Sequence, residues 1–245
     1  MAERFEDAWR RRFERAAEKY DRDHAVSGWS AEGLRRRLVT FAEGFEAAAL
    51  PPGQAVLDLG CGAGTYSAWL AALGHRVVAL DYSSGTLRFA AERLRRAGVS
   101  LLAGEAYRLP LATGVLDVVV CVGVFQTLER PRACLAEIRR VLVPGGHVFL
   151  MTLNARDLAS RLARTVRRRR AAYEDLRRYD PEVVRGWLNR ARLSVERVWP
   201  VYVMPDGAAR LSRVAERCGL NRAAERLGTA PMALAHAALF TARAE

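Results

Sequence analysis

The sequence predicts an α/β fold, a mostly parallel sheet covered by helices on both faces. Short runs that are apolar throughout recur between residues 55 and 153, as strands buried on both faces require. Stretches of helical period separate them. The first run, VLDLGCGAGT at residues 56–65, carries glycines at 60, 62 and 64 and feeds a helix. That is the turn by which open α/β sheets hold ligands.

The elements follow in order. Residues 3–19 are predicted helical, because Phe5, Ala8, Trp9, Phe13, Ala16 and Ala17 share one face. Residues 31–49 are a second amphipathic helix, and the intervening YDRDHAVSGWS is a loop. Pro51, Pro52 and Gly53 then break the chain. Strands are expected at 55–60, 76–81, 99–104, 116–123 and 147–153. Helices are expected at 65–73, at 83–97 with Ser83 at its start and Gly98 after its end, and at 130–142 with Pro131 near its first position. Pro144, Gly145 and Gly146 end the last of these. Beyond, residues 155–178 read as an Arg-rich helix and 180–191 as a helix opened by Asp180-Pro181. A strand at 193–204 is interrupted by Pro200, and 207–227 reads as helix.

Of the 245 residues, 51% are hydrophobic, enough for a core without disulfides or metals. Cys61, Cys121, Cys134 and Cys218 form neither a CxxC pair nor a zinc-spaced cluster, so no metal is expected. Scattered cysteines fit a reducing compartment. The charged N-terminus lacks the apolar core of a signal peptide, and no run approaches the ~20 apolar residues of a membrane span. A cytoplasmic protein is expected. The net charge is +12, carried by arginine apart from Lys19. Arginines at 10–12, 35–37, 95–96, 139–140, 167–170 and 177–178 are dispersed, as on solvated helix faces. A basic docking surface for nucleic acid or anionic lipid is the alternative.

The glycine turn suits several ligands, because it admits close backbone approach and presents a helix N-terminus. A phosphate-binding P-loop would need Gly-Lys-Ser/Thr, and here Thr65 and Tyr66 follow Gly64. A dinucleotide fingerprint would prefer a small residue at 65; Thr65 weakens that case without excluding it. Asp81 lies at the end of the second strand, where an acid binds the ribose of any adenosine ligand.

VLDLGCGAGT, VVALDYS, GEAYRLPLATGVLDVVVCVGVFQTLERP and EIRRVLVPGGHVFLM, in that order, resemble the motif set of class I S-adenosylmethionine (SAM)-dependent methyltransferases. The style is that of the methyltransferase type 11-like group that includes ubiquinone and menaquinone biosynthesis methyltransferases. The resemblance covers about residues 52–153. It implies a Rossmann-like, doubly wound, seven-stranded sheet with an antiparallel last strand. Residues 233–244 are assigned to that strand on this ground, although their alanines favour helix locally. It implies SAM as cofactor, S-adenosylhomocysteine (SAH) as product and no metal. Gly60, Cys61 and Gly62 would cradle the methionine part, with Asp58 supporting the loop and, directly or through water, the ammonium. Asp81 would hold the ribose and Tyr82 would lie against the adenine. Glu105, where the family commonly has Asp, would accept from the adenine amino group, and Ala106 would offer its N–H. Cys121 would meet the methionine end by its backbone. Gln126 and Thr127 stand where relatives often carry His.

The expected function is methylation of an O, N or C nucleophile on a small molecule. His24, Tyr20 and Glu129 are candidates for a base, and none is singled out. Tyr20, His24 and Trp29 are candidates for the substrate pocket. His147 and His236 are expected to be structural. Residues 1–50 would form a helical lid on a SAM-binding domain at 51–245, with a substrate-covering helical region at 154–192. The Arg cluster at 161–178 could grip an anionic substrate. The alternatives are an RNA or protein methyltransferase docking through its arginines, or a non-catalytic SAM-binding partner subunit. Substrate identity and oligomeric state are not legible.

Overall fold

The computed structural model describes residues 5–158, 176–202 and 232–245. Seven strands form one sheet: β1 (Ala55–Leu59), β2 (Arg76–Asp81), β3 (Ser100–Ala103), β4 (Leu116–Val122), β5 (Leu142–Leu153), β6 (Leu193–Val201) and β7 (Ala237–Ala244). Their order across the sheet is β3-β2-β1-β4-β5-β7-β6. β1 pairs in parallel with both β2 and β4, so the winding reverses between β1 and β4. β7 runs antiparallel to β5 and β6. The Rossmann-like, doubly wound class expected from the sequence is the observed one.

The helices among the described residues are α1 (Phe5–Lys19), α2 (Asp23–Val26), α3 (Ala31–Ala47), α4 (Thr65–Ala72), α5 (Ser84–Arg96), α6 (Pro131–Val141) and α7 (Pro181–Arg190). One face of the sheet is covered by Phe41 and Phe45 of α3, Leu70 of α4 and Leu94 of α5. The other is covered by Leu135 and Ile138 of α6 and Val184 and Leu188 of α7. Helix starts follow their caps: Ser30 Oγ accepts from Gly33 N–H at 3.0 Å and Ser83 Oγ from Thr86 N–H at 3.2 Å.

Four local expectations change. The loop at 20–30 contains the short helix α2. β5 begins at Leu142 rather than 147, and Pro144-Gly145-Gly146 lies in a bulge: Leu116 pairs Leu142, but Val118 already pairs His147. β6 stops at Val201; Pro200 is accepted within it because β6 is last in the sheet order, where one side needs no ladder. The seventh strand starts at Ala237, after a 3-10 turn at Met232–Leu234. His236 therefore precedes the strand, with Nδ1 3.2 Å from Asp157 Oδ2. β7 is a strand despite its alanines because β5 and β6 flank it and seven of its eight residues are buried; tertiary pairing outweighs local preference. The Arg cluster at 161–178 and the helix at 155–178 lie mostly outside the described residues, and the helix at 207–227 wholly so.

Candidate functional site

The site forms where the winding reverses. β1 delivers the chain to Gly60, whose φ of +71° falls in the left-handed region. A Cβ there would come 2.2 Å from Val124 Cγ2, in the loop after β4. Gly60 and Cys61 N–H groups both donate to Leu80 C=O, at 2.7 and 3.0 Å. Gly62 N–H donates to Asp81 Oδ2 and Ser83 N–H to Asp81 Oδ1, each at 2.9 Å. The glycine loop and the end of β2 are thus one hydrogen-bonded unit. It borders a cavity of about 980 Å³. Trp9 and Phe13 of α1 and the chain from His24 to Leu34 form further walls.

Of the residues expected to bind SAM, Gly60, Cys61, Gly62, Asp81, Tyr82, Glu105 and Ala106 all line this cavity. Asp58 and Cys121 are not among its walls. Asp58 is 2% exposed and accepts from Ser67 Oγ on α4, so its side chain holds α4 to β1. Cys121 is buried in β4, while its neighbours Val122 and Gly123 reach the cavity. Its thiol is pushed up by a hydrogen bond with Cys134 and by burial. Burial also pushes up the Cys61 thiol, so neither sulfur is an activated nucleophile.

Burial raises the Asp58 carboxyl to about 7, with Asp81 adding repulsion and Ser67 partly offsetting both. An acid raised on folding stabilises the protein most below its unfolded value, and that share is lost as pH rises through the folded value. The Asp58 contribution should therefore fall between about pH 4 and about pH 7. Asp58→Asn should flatten stability over that window, read from urea midpoints of ligand-free protein across pH. A parallel dependence in parent and variant would refute it.

Among the base candidates, His24 and Tyr20 line the cavity. Glu129 does not: its Oε1 accepts from Phe5 N–H at 3.0 Å, and its own N–H donates to Glu6 Oε1 at 2.7 Å. Tyr107 Oη also donates to Glu6 Oε1, and Tyr82 Oη donates to Glu6 C=O at 3.2 Å. Glu129 thus anchors the start of α1 over the site. Within 1–50, α1, α2 and the first turn of α3 border the cavity, whereas further along α3 sends Phe41 and Phe45 into the core. Within 154–192, Leu176 reaches the cavity and α7 packs on the sheet.

The donor set discriminates between ligands. A dinucleotide rests its pyrophosphate on the N-terminus of the helix after β1. Here Thr65, the first residue of α4, gives its Oγ1 to Asp23 Oδ2 at 2.7 Å, and Arg93 Nη1 meets the same oxygen at 2.7 Å. A carboxylate of the chain already stands there. The Gly60 and Cys61 amides are also spent on Leu80, so the loop is poor in donors for a phosphate. Asp81 keeps acceptor capacity on both oxygens, since a carboxylate offers about four sites. That suits a ribose diol, and SAM, which has no phosphate, fits these residues.

Sequence reasoning missed Arg37 and Tyr66, and noted Gln126 only as a departure from His. Tyr66 and Gln126 line the cavity. A signal for Arg37 existed: Gly33, Arg37, Phe41 and Phe45 recur every four residues on the buried face of α3.

The fold and site define an α/β methyltransferase domain of the SAM-binding kind. A family model described as a methyltransferase domain matches residues 57–150. A demethylmenaquinone methyltransferase of Clavibacter sepedonicus is 30% identical over 199 residues, 74% of this chain and 77% of that protein. The chain belongs to the class I SAM-dependent methyltransferases, in the group of the menaquinone and ubiquinone biosynthesis enzymes. A demethylmenaquinone methyltransferase of Renibacterium salmoninarum is 37% identical over 138 residues, 56% of this chain. That match spans 55%, about half, of the relative's own length. Among solved structures, magnesium protoporphyrin IX methyltransferase from Synechocystis, with bound SAH, shares the fold. Its TM-score is 0.64 at 15% identity, over 91% of this chain and 86% of that one. No described helix is long and apolar enough to cross a membrane.

Proposed function

We propose that this protein transfers a methyl group from SAM to an O, N or C nucleophile of a small molecule enclosed beneath α1 and α2. The observation that carries the proposal is Asp81, fixed between the Gly62 and Ser83 amides on the wall of a roofed cavity. SAM, when bound, supplies an electrophilic methyl on a sulfonium. The chain aligns and excludes water. Asp81 would take the ribose hydroxyls, the carbonyls of the 60–62 loop would serve the methionine ammonium, and Tyr82, Glu105 and Ala106 would hold the adenine. Gly123 and Val124 would line the reacting end of the cavity. Residues 5–30 serve as the lid, tied down through Glu6 and Glu129. A volume near 980 Å³ is at the upper end of small-ligand pockets, as expected for cofactor and substrate together. The named activity of the relatives also supports a small-molecule substrate.

The test is label transfer from methyl-labelled SAM into host extract, separated into small molecules, RNA and protein. Label in the small-molecule fraction, absent with Asp81→Ala, is expected. Label in RNA or protein would move the substrate to a macromolecule. SAM binding with transfer only after a second protein is added would make the chain a partner subunit.

A further inference from the structure

Arg37 is 2% exposed on α3, with its guanidinium carbon 3.8 Å above the Trp29 ring. Its Nη1 donates to Gly33 C=O at 2.8 Å, and its Nη2 has no partner among the described residues. Among the described residues, the acids on this side of the molecule are committed elsewhere. Asp157 serves Arg178 at 3.6 Å and His236 at 3.2 Å, Asp58 serves Ser67, and Glu32 serves Arg35 and Arg36. The charged neighbour of Arg37 among the described residues is Arg178, which adds repulsion; Tyr66 on α4, held neutral by burial, brings no counter-charge. Among the other buried polar atoms without a partner in the described residues, three belong to cavity-wall residues: Tyr66 Oη, Gln126 Oε1 and Thr86 Oγ1. Tyr66 is 7% exposed and Gln126 2%, and both belong to the cavity wall, as does Trp29. Trp29 and Gln126 meet on Gly123, whose Cβ would lie 3.1 Å from Trp29 Cζ2 and 3.3 Å from Gln126 Nε2. Arg37 lies behind Trp29, outside the cavity's own walls, and the wall from Trp29 to Gln126 ends beside the glycine loop.

A buried cation with no counter-charge is costly, and replacing such a group with an apolar one often stabilises a protein. Its charge is balanced if the ligand brings a negative group. We propose that this wall receives a substrate whose reacting group is an ionised oxygen, of a phenol, enol or carboxylic acid, with Tyr66 Oη donating to it, the Gln126 amide turned to donate, and Arg37 supplying the balancing charge. The proposal rests on the methyl-transfer function above and names its substrate class. The acidic proton passes to solvent as the substrate binds. The oxygen lone pair then forms the O–C bond to the methyl, the C–S bond breaks, and its electron pair stays on sulfur. An anion and a sulfonium become two neutral products, so Arg37 loses its counter-charge at turnover, which favours release. No general base is needed, which accounts for Gln126 and Thr127 standing where relatives often carry His. Burial lowers Arg37 only to about 10, so it keeps its charge at neutral pH.

The probe is para-nitrophenol, whose phenolate is coloured, titrated against the full chain with and without saturating SAH; SAH binding is measured separately by calorimetry. The bound probe is expected to ionise about one pH unit lower than in solution, a roughly tenfold preference for phenolate. Arg37→Met should abolish that preference and Arg37→Lys should keep it. Tyr66→Phe should weaken phenolate binding several-fold. Arg37→Met should also melt no lower than the parent, whereas a merely structural arginine would leave it less stable. An unshifted or unbound probe, or a shift that survives Arg37→Met, overturns the proposal. If Arg37→Met does not fold, the structural role is favoured and the proposal fails unless Arg37→Gln folds and loses the preference. SAH binding with an unshifted probe refutes this inference alone; absence of SAH binding refutes the methyl-transfer function instead.

Discussion

Asp81→Ala is expected to weaken SAH binding roughly a hundredfold or more, about 3 kcal/mol, because hydrogen bonds to a buried charge are worth about 1.5–3 kcal/mol each. Two effects combine. The ribose loses its acceptor, and the Gly62 and Ser83 amides, now bonded to Asp81 at 2.9 Å, lose the group that holds the loop in shape. Asp81→Asn should fall between parent and Ala variant, since an amide oxygen accepts but its nitrogen clashes with one donor. Burial raises the Asp81 carboxyl above the ordinary range, so ligand-free Asp81→Asn should lose less stability at neutral pH than it loses in affinity. Calorimetry with SAH and urea denaturation measure the two quantities separately. SAH affinity within a few-fold of the parent would remove Asp81 from the site.

The second large effect is expected at Gly60. Alanine there takes on a left-handed backbone, which costs roughly 1–2 kcal/mol, and a Cβ 2.2 Å from Val124 Cγ2, which adds about 1–3 kcal/mol of overpacking. Gly114→Ala is the control. Its φ is +64° and nothing lies within 4 Å of the added carbon, so only the backbone cost applies. Val124→Ala should recover the steric part of the Gly60→Ala loss and leave the backbone part, giving a favourable coupling in a double-mutant cycle. Equal losses at Gly60 and Gly114, measured by urea denaturation, would show that the loop moves aside and that the cradle is not rigid.

The sheet was legible because its signals are local. VLDLG, RVVALD and LDVVVCVG are apolar throughout and bounded by glycines, so their length and burial could be read in sequence. The cavity's glycine-loop wall was legible for the same reason: Gly60, Gly62 and Asp81 sit at strand ends whose positions the pattern fixes. The wall proposed for the substrate was not. Arg37 belongs to the run Arg35-Arg36-Arg37, in which Arg35 is partly exposed while Arg37 is buried, and composition cannot separate them. Its significance depends on the absence of a carboxylate beside it among the described residues, which only three-dimensional proximity reveals. The placement of Glu129 outside the cavity wall escaped the sequence for a related reason. Its partner, the N–H of Phe5, is 124 residues away in the chain, and no local pattern reports such a contact.

The placement of β7 between β5 and β6 bears on how the chain is made. Both neighbours leave the ribosome before it does. Until residues 237–244 emerge, β5 carries a bare edge beside buried Phe149, Leu150 and Met151, and β6 has no strand partner among the described residues. Exposed apolar edges of this kind invite pairing with other chains. Nascent chains stalled before residue 237 should therefore be protected from protease over β1 to β4 and cut readily within β6. Synthesis of the last strand, rather than of the cofactor loop, is then the step at which this enzyme becomes safe from aggregation.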